Sequence, residues 1–380
     1  MQIQLRSICT GYLQRYVSPR TGGKGRGNFI MKLETFDDVL TSIKKNPGRE
    51  FHLLLGNGFS IAYDSSIFSY NALHDFIKNL SDKDISTILG VIETKNFEVI
   101  MQYLDNFSSL IAALGGDPKL KKRIDNAIAK LKTSLLEAVR ALHPEHVFKV
   151  PEEQSQACSH FLKIFLDSGG SIYSTNYDLL LYWVLMRNSI VNHVDGCGRE
   201  LENPDEFVPP EEQIWSELIW GKHRDEQNVF YLHGALPFFD TGIAVIKEEY
   251  DVYNYLLQKI SDRMEKGEYP IFVTAGNGEQ KLRHIMHNHY LTYCYESLCN
   301  VEGSIVTFGF NFGPYDEHII DAINKAAKHG RKVSDKLWSI YIGVYSDPDR
   351  KHIEQLAGKF KCKVRIYDAK TAYVWEAGKK

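Results

Sequence analysis

Paired cysteines, long apolar runs and a surplus of one charge are all missing from this chain. Its 380 residues include six cysteines, Cys9, Cys158, Cys197, Cys294, Cys299 and Cys362, and none forms a CxxC pair. At this length and density a disulfide framework is not expected, and a reducing, cytoplasmic setting is the natural expectation. The same lack removes the usual signature of four-ligand structural zinc, so no metal is expected. No run of about 18 apolar residues occurs, so no membrane span is expected. Lys and Arg number 45 against 48 Asp and Glu, interspersed along the chain. A protein whose main task is gripping nucleic acid needs a concentrated basic face, and direct nucleic-acid binding is not expected here. The first thirty residues contain no acid at all, while Arg6, Arg15, Arg20, Lys24 and Arg26 make them basic. Residues 1–31 read as a disordered tail or as a start placed too early, with Met31 the true start. An organelle-targeting peptide shares that composition.

What is present is an ordinary apolar content of 43%, enough to bury a sizeable core. The length allows two or three domains, or one large α/β domain with an insertion. Phe51–Leu55 (FHLLL) is a short apolar run followed by Gly56-Asn57-Gly58, the pattern of a buried parallel strand ending in a tight turn. Ser171–Thr175, Asn228–Leu232, Pro270–Ala275, Gly303–Phe310 and Trp338–Tyr345 have the same character, with helical stretches between most of them. The expected fold is therefore α/β, a Rossmann-like parallel sheet with helices on both faces. Regular structure begins with the amphipathic segment Leu33–Ile43. About a hundred residues after the first strand show no strand pattern. There Asn96–Leu114 reads as helical, and Ile124, Ile128, Leu131, Leu135, Val139 and Leu142 recur at the helix period. A large helical insertion is expected at about 70–165, with Pro144 and Pro151 closing it. Residues 192–226, polar and carrying Pro204, Pro209 and Pro210, read as a long loop or small subdomain.

Four polar motifs stand at strand ends, where ligands of open α/β sheets bind. The first is Gly56-Asn57-Gly58-Phe59-Ser60. Glycine lets a phosphate approach backbone N–H groups, but a Rossmann fingerprint needs a third glycine where Ile61 stands, so a plain tight turn is the competing reading. The second is Ser174-Thr175-Asn176-Tyr177-Asp178, in which Asp178 also suits a helix cap ahead of Leu179. The third is His233-Gly234, a histidine placed for base chemistry near neutral pH. The fourth is Gly309-Phe310-Asn311-Phe312, with Asp316 close behind.

In this order the four motifs resemble the sirtuin family. Gly56-x-Gly58-x-Ser60 is similar to its glycine loop, Asn176-Tyr177-Asp178 to its Asn-Ile-Asp, Tyr231-Leu232-His233-Gly234 to its catalytic-histidine segment, and Gly309-Phe310-Asn311 to its adenosine-side turn. The resemblance runs from Phe51 to Asp316 in outline. It implies NAD⁺ as substrate, contacted by Gly56, Asn57, Gly58, Phe59, Ser60, Phe68, Thr175, Gly309, Asn311 and Asp316. It also implies that Asn176 positions the water or the ribose, that Asp178 holds the nicotinamide side of the pocket, and that His233 accepts from a ribose hydroxyl. The chain departs from the family's deacylases in lacking the two CxxC pairs, in carrying Ile67-Phe68-Ser69 where they have Asp-Phe-Arg, and in the long interval from Asp178 to His233. In these respects it looks more like the sirtuin-like NAD⁺ hydrolases of bacterial anti-phage defence. That likeness implies nicotinamide release, a homo-oligomer, gating by assembly or a partner and, for one such type, a HerA-type hexameric ATPase partner. An NAD-dependent protein deacylase and a non-enzymatic module binding NAD⁺ or ADP-ribose are the alternatives.

Weaker groups are also present. His284, His287 and His289 cluster, but only the first two share a helical face; His193, Asp195 and Cys197 sit in a presumed loop. Both are read as structural histidines and loop residues before they are read as metal sites. Lys281 follows Gly276-Asn277-Gly278 at the wrong spacing for a P-loop, so ATP hydrolysis by this chain is not expected.

Overall fold

The computed structural model describes residues 32–46, 48–68, 82–92, 97–201, 209, 213, 215–250, 253–273, 277–328 and 336–376. The expectations for residues 1–31, for Ser69, Pro204, Pro210 and Gly276, and for the start of the insertion at 70–81 lie outside them.

Seven strands form a parallel sheet: β1 (Leu33–Glu34), β2 (Phe51–Leu55), β3 (Ile172–Ser174), β6 (Val229–Tyr231), β10 (Gly303–Phe308), β11 (Leu337–Val344) and β12 (Lys363–Asp368). Their order is β1-β12-β11-β10-β2-β3-β6, every pair parallel. All residues of β2 and β10 are buried, as central parallel strands require. Helices flank the sheet, and the fold is the expected α/β, Rossmann-like one. From β2 the chain first builds outward through β3 and β6, then returns to place β10 on β2's other side. The sheet's switch point therefore lies between β2 and β10, and crevices at the carboxyl ends of strands open at such points.

The flanking helices explain themselves from sequence. Thr35 and Asp38 form a capping box that starts α1 (Phe36–Lys44), which buries Phe36, Val39 and Ile43. The short α2 (Gly58–Tyr63) and α3 (Ser65–Phe68) follow β2. The insertion supplies α4 (Lys83–Ile92), α5 (Phe97–Ala113) and α6 (Pro118–Leu142). It has a core of its own, in which Ile85, Leu89, Ile100, Met101, Leu104, Ile124, Ile128 and Leu131 pack together. It ends earlier than expected. The next helix, α7 (Glu152–Leu166), sets Phe161 against Phe308 at 5.7 Å and Phe165 against Phe51 at 5.5 Å, and so belongs to the sheet layer. Beyond it come α8 (Leu180–Arg187), α9 (Leu256–Glu265), α10 (Gly278–Met286), α11 (His289–Cys299), α12 (Glu317–Lys328) and α13 (Asp347–Leu356). Among the described residues no helix is long and apolar enough to cross a membrane.

A second sheet, antiparallel throughout, was not foreseen. It comprises β4 (Cys197–Gly198), β5 (Leu218–Trp220), β7 (Gly234–Asp240), β8 (Val245–Lys247) and β9 (Pro270–Phe272), in the order β4-β5-β8-β7-β9. Two expectations are corrected by it. Pro270–Phe272 pairs antiparallel with β7 and does not join the parallel sheet, and residues 192–226 contribute strands β4 and β5 to this second layer. The cause is Gly234, whose φ of +79° turns the chain out of the parallel sheet directly after His233. A short apolar run looks alike in either kind of sheet.

Candidate functional site

The carboxyl ends of β10, β2, β3 and β6, four neighbours in the sheet, carry the four motifs in that spatial order. The glycine turns after β2 and β10 are pressed together. A Cβ on Gly58 would lie 2.5 Å from Cα of Gly309, and one on Gly56 would lie 2.6 Å from the Gly309 carbonyl oxygen. The Gly58 N–H donates to that carbonyl at 2.9 Å, and the N–H groups of Gly56, Phe59 and Ser60 donate to Phe308, Gly56 and Asn57. In this conformation the glycines thus serve the close approach of two loops, and these donors are engaged within the chain. Asn57 holds the following turn through a 3.3 Å bond from Nδ2 to the Phe68 carbonyl. Phe59 is buried against Trp375, ring centroids 5.0 Å apart, and the Trp375 indole N–H donates to the Phe59 carbonyl.

Ser60 is the link to the second motif. Its hydroxyl donates to Asp178 Oδ2 at 2.6 Å and accepts from Asn176 Nδ2 at 3.1 Å. Thr175 ties the end of β3 to β2 by donating to the Leu55 carbonyl from both N–H and hydroxyl. Asp178 does two jobs, because its Oδ1 accepts from the Leu180 N–H at the start of α8. Asp178 therefore accepts both from the Ser60 hydroxyl and from the first backbone N–H of α8. His143, which sequence reasoning did not single out, steadies the same turn. Its Nε2 accepts from the Leu179 N–H at 3.0 Å, and its Nδ1 lies 3.0 Å from the Pro144 carbonyl, which fixes the proton on Nδ1. Burial pushes its pKa down, against the pull of the Asp178 charge. Phe68 stacks edge-on against this ring at 5.6 Å.

His233 emerges from β6 into a second polar cluster. Its Nε2 lies 2.8 Å from Nε2 of His318, in the first turn of α12. Lys281 on α10 is fully buried and reaches Asp316 Oδ1 at 3.4 Å. Gly278 makes this meeting possible: its missing side chain lets α10 start against α12, where a Cβ would sit 3.1 Å from the His318 N–H nitrogen. Burial, then the neighbouring His318 and Lys281, hold His233 well below the usual histidine range. Burial and Lys281 push His318 down to about 3. Nδ1 of His318 is buried with no hydrogen-bond partner. Lys281 and His318 are the residues that sequence reasoning missed as site members.

Of the residues expected to form one site, Gly56 and Gly58 touch Gly309, Ser60 bonds to Asn176 and Asp178, His233 pairs with His318, and Asp316 accepts from Lys281. Asn311 is exposed at the rim. Ser60, Asn176, Asp178 and His233 are 0, 7, 7 and 3% exposed, so the polar core of the site is closed in this conformation. Of the weaker groups, Asp195 is engaged in structure. Asp195 and Lys247 form a buried ion pair, with Lys247 also 4.1 Å above the Tyr182 ring. The lysine's charge and hydrogen bond outweigh burial and keep Asp195 below the usual carboxylate range. Among the described residues no group of three His, Cys, Asp or Glu side chains is arranged to hold a metal.

A family model described as a domain of unknown function, DUF4917, matches residues 53–375, and the chain belongs to that family. No curated protein matches it.

Proposed function

We propose that this DUF4917 protein is a sirtuin-like NAD⁺ glycohydrolase, releasing nicotinamide and ADP-ribose, and that it serves as a triggered effector of anti-phage defence. The observation that carries the reading is the hydrogen-bonded Ser60–Asn176–Asp178 cluster at the carboxyl ends of β2 and β3, with His233, whose pKa burial holds well down, at the end of the neighbouring strand β6. Breaking the nicotinamide–ribose bond builds positive charge on the sugar. The ring nitrogen of nicotinamide takes the bonding electrons and leaves neutral, so the step needs anionic stabilisation and a proton acceptor rather than an acid. Asp178 supplies a carboxylate fixed by two donors, Ser60 and the Leu180 N–H. A histidine held neutral accepts a hydrogen bond from a ribose hydroxyl at any pH near 7. Asn176 is oriented by Ser60 and has an amide suited to hold the attacking water, whose oxygen bonds to the ribose carbon while its proton passes to the base or to solvent.

Closure of the site supports the triggered part of the proposal, since NAD⁺ enters only when this conformation opens. It also supports a second reading, a regulatory module that binds NAD⁺ or ADP-ribose without turnover. Incubating the purified full chain with NAD⁺ separates the readings. Nicotinamide release without an acylated peptide is expected, release only with such a peptide points to a deacylase, and binding without release points to the regulatory module.

A further inference from the structure

Outside the strand-end site, an open cleft of about 740 Å³ separates the insertion from α10. Asp105 and Ser108 on α5 and Lys132 on α6 form one wall; Arg283, His284 and His287 form the other. The charges in it do not cancel. Asp125 at its edge is already neutralised, accepting from Lys121 at 2.6 Å and from the Ser108 hydroxyl at 2.5 Å. Asp105 is then the one wall carboxylate left to face Lys132, Arg283 and two imidazoles. Neither Lys132 nor Arg283 forms an ion pair among the described residues. An unpaired guanidinium and ammonium across a concave space are the groups that recognise phosphate oxygens. The volume suits a nucleotide-sized ligand, since small-molecule sites span roughly 300–1,000 Å³.

We propose that this cleft binds a small phosphate-bearing anion of up to nucleotide size, held by Lys132 from the insertion and Arg283 and His284 from α10. The ligand would bridge two parts of the fold. It would also bear on the candidate active site, because α10 carries Lys281 one turn before His284, buried against Asp316 and beside the histidine pair. That second consequence rests on the proposed reaction; the binding itself does not, and a chain without NAD⁺ cleavage would still bind here.

Titration calorimetry of the full chain with inorganic pyrophosphate and with ADP, at low salt, tests the binding. One saturable site is expected, weakened at least about tenfold in Lys132→Glu/Arg283→Glu, both exposed positions whose reversal leaves the melting temperature unchanged. Ser60→Ala, at the other site, should bind pyrophosphate normally. Tighter binding of ADP than of pyrophosphate would mean that the nucleoside is also recognised, and equal binding that the phosphates suffice; both support the site. Absence of saturable binding, or equal affinity in the charge-reversed variant, would overturn it.

Discussion

His233 and His318 meet Nε2 to Nε2 at 2.8 Å with their rings inclined by 24°, both buried, and this contact allows one proton between the two nitrogens. Two bare lone pairs at that distance repel and two N–H groups clash, so one imidazole donates and the other accepts. The adjacent Lys281 ammonium and burial then oppose a second proton on the pair. The base proposed for the reaction is thus a neutral, paired histidine.

The first expectation concerns acid stability. His52, His143, His233 and His318 are all buried with lowered pKa values, His52 to about 4 and His318 to about 3. Below about pH 6.5 the unfolded chain takes up protons that the folded chain refuses, so stability is fully present above that pH and falls as pH drops toward the folded values. Each such histidine contributes a slope of up to about 1.4 kcal/mol per pH unit. Melting temperature should therefore decline between pH 7 and 5. His318→Gln should flatten the decline, and Lys281→Met, by letting the pair charge more easily, should do the same. A profile identical to the wild type in both variants would refute the electrostatic account.

Catalytic roles separate by variant. His233→Ala should cut nicotinamide release by about 10²–10⁴-fold, the contribution of a general base. Asn176→Ala should reduce it severely, and both should leave NAD⁺ affinity by calorimetry largely intact. Near-normal release from His233→Ala would remove His233 from the chemistry.

Ser60→Ala should behave differently. It strips Asp178 Oδ2 of its buried donor, a loss of about 1–3 kcal/mol in stability. It should weaken NAD⁺ binding more than it slows turnover. Unchanged melting and unchanged affinity together would show that the Ser60–Asp178 bond has no role.

Two glycines with nearly the same φ should respond unequally to alanine. Gly234 (φ +79°) and Gly242 (φ +80°) both sit in the left-handed region, which costs a side chain roughly 1–2 kcal/mol. A Cβ on Gly242 meets nothing within 4 Å, whereas one on Gly234 would lie 1.9 Å from the Ile271 carbonyl oxygen. Gly242→Ala should show the backbone cost alone. Gly234→Ala should be far more destabilised, or insoluble, because the clash is with backbone that cannot rotate away. Equal unfolding free energies would contradict the tight seam between β7 and β9.

Metal removal should have no effect. A chain without CxxC pairs has no evident zinc module, so chelator should leave melting unchanged; about one tightly bound zinc per chain, with unfolding on chelation, would reverse this.

Five of the seven parallel strands, β2, β3, β6, β10 and β11, and the polar residues at the ends of four of them were legible in the amino-acid order because both signals are local, whereas β1 and β12 were not foreseen. A strand buried on two faces must be a short apolar run, as Phe51–Leu55 is, and the turn behind it must be glycine or polar, as Gly56, Asn176, His233-Gly234 and Gly309 are. Their arrangement side by side was decided by the strand order β10-β2-β3-β6, which only the tertiary structure gives. The partners of these residues were not legible. His143, Lys281 and His318 are single polar residues on or beside helices, and nothing in a helix's own sequence says which polar side chain its packing will bury against another element. The second sheet escaped for a related reason. Strands as short as Cys197–Gly198 and Leu218–Trp220 carry no period of their own and are defined by pairing with residues far along the chain. Sequence alone determined which groups stand at the strand ends. Tertiary packing decided that His233 is paired and neutral, and that Asp178 is shared between a helix cap and Ser60, because burial, dielectric and hydrogen-bond partners are properties of neighbours in space.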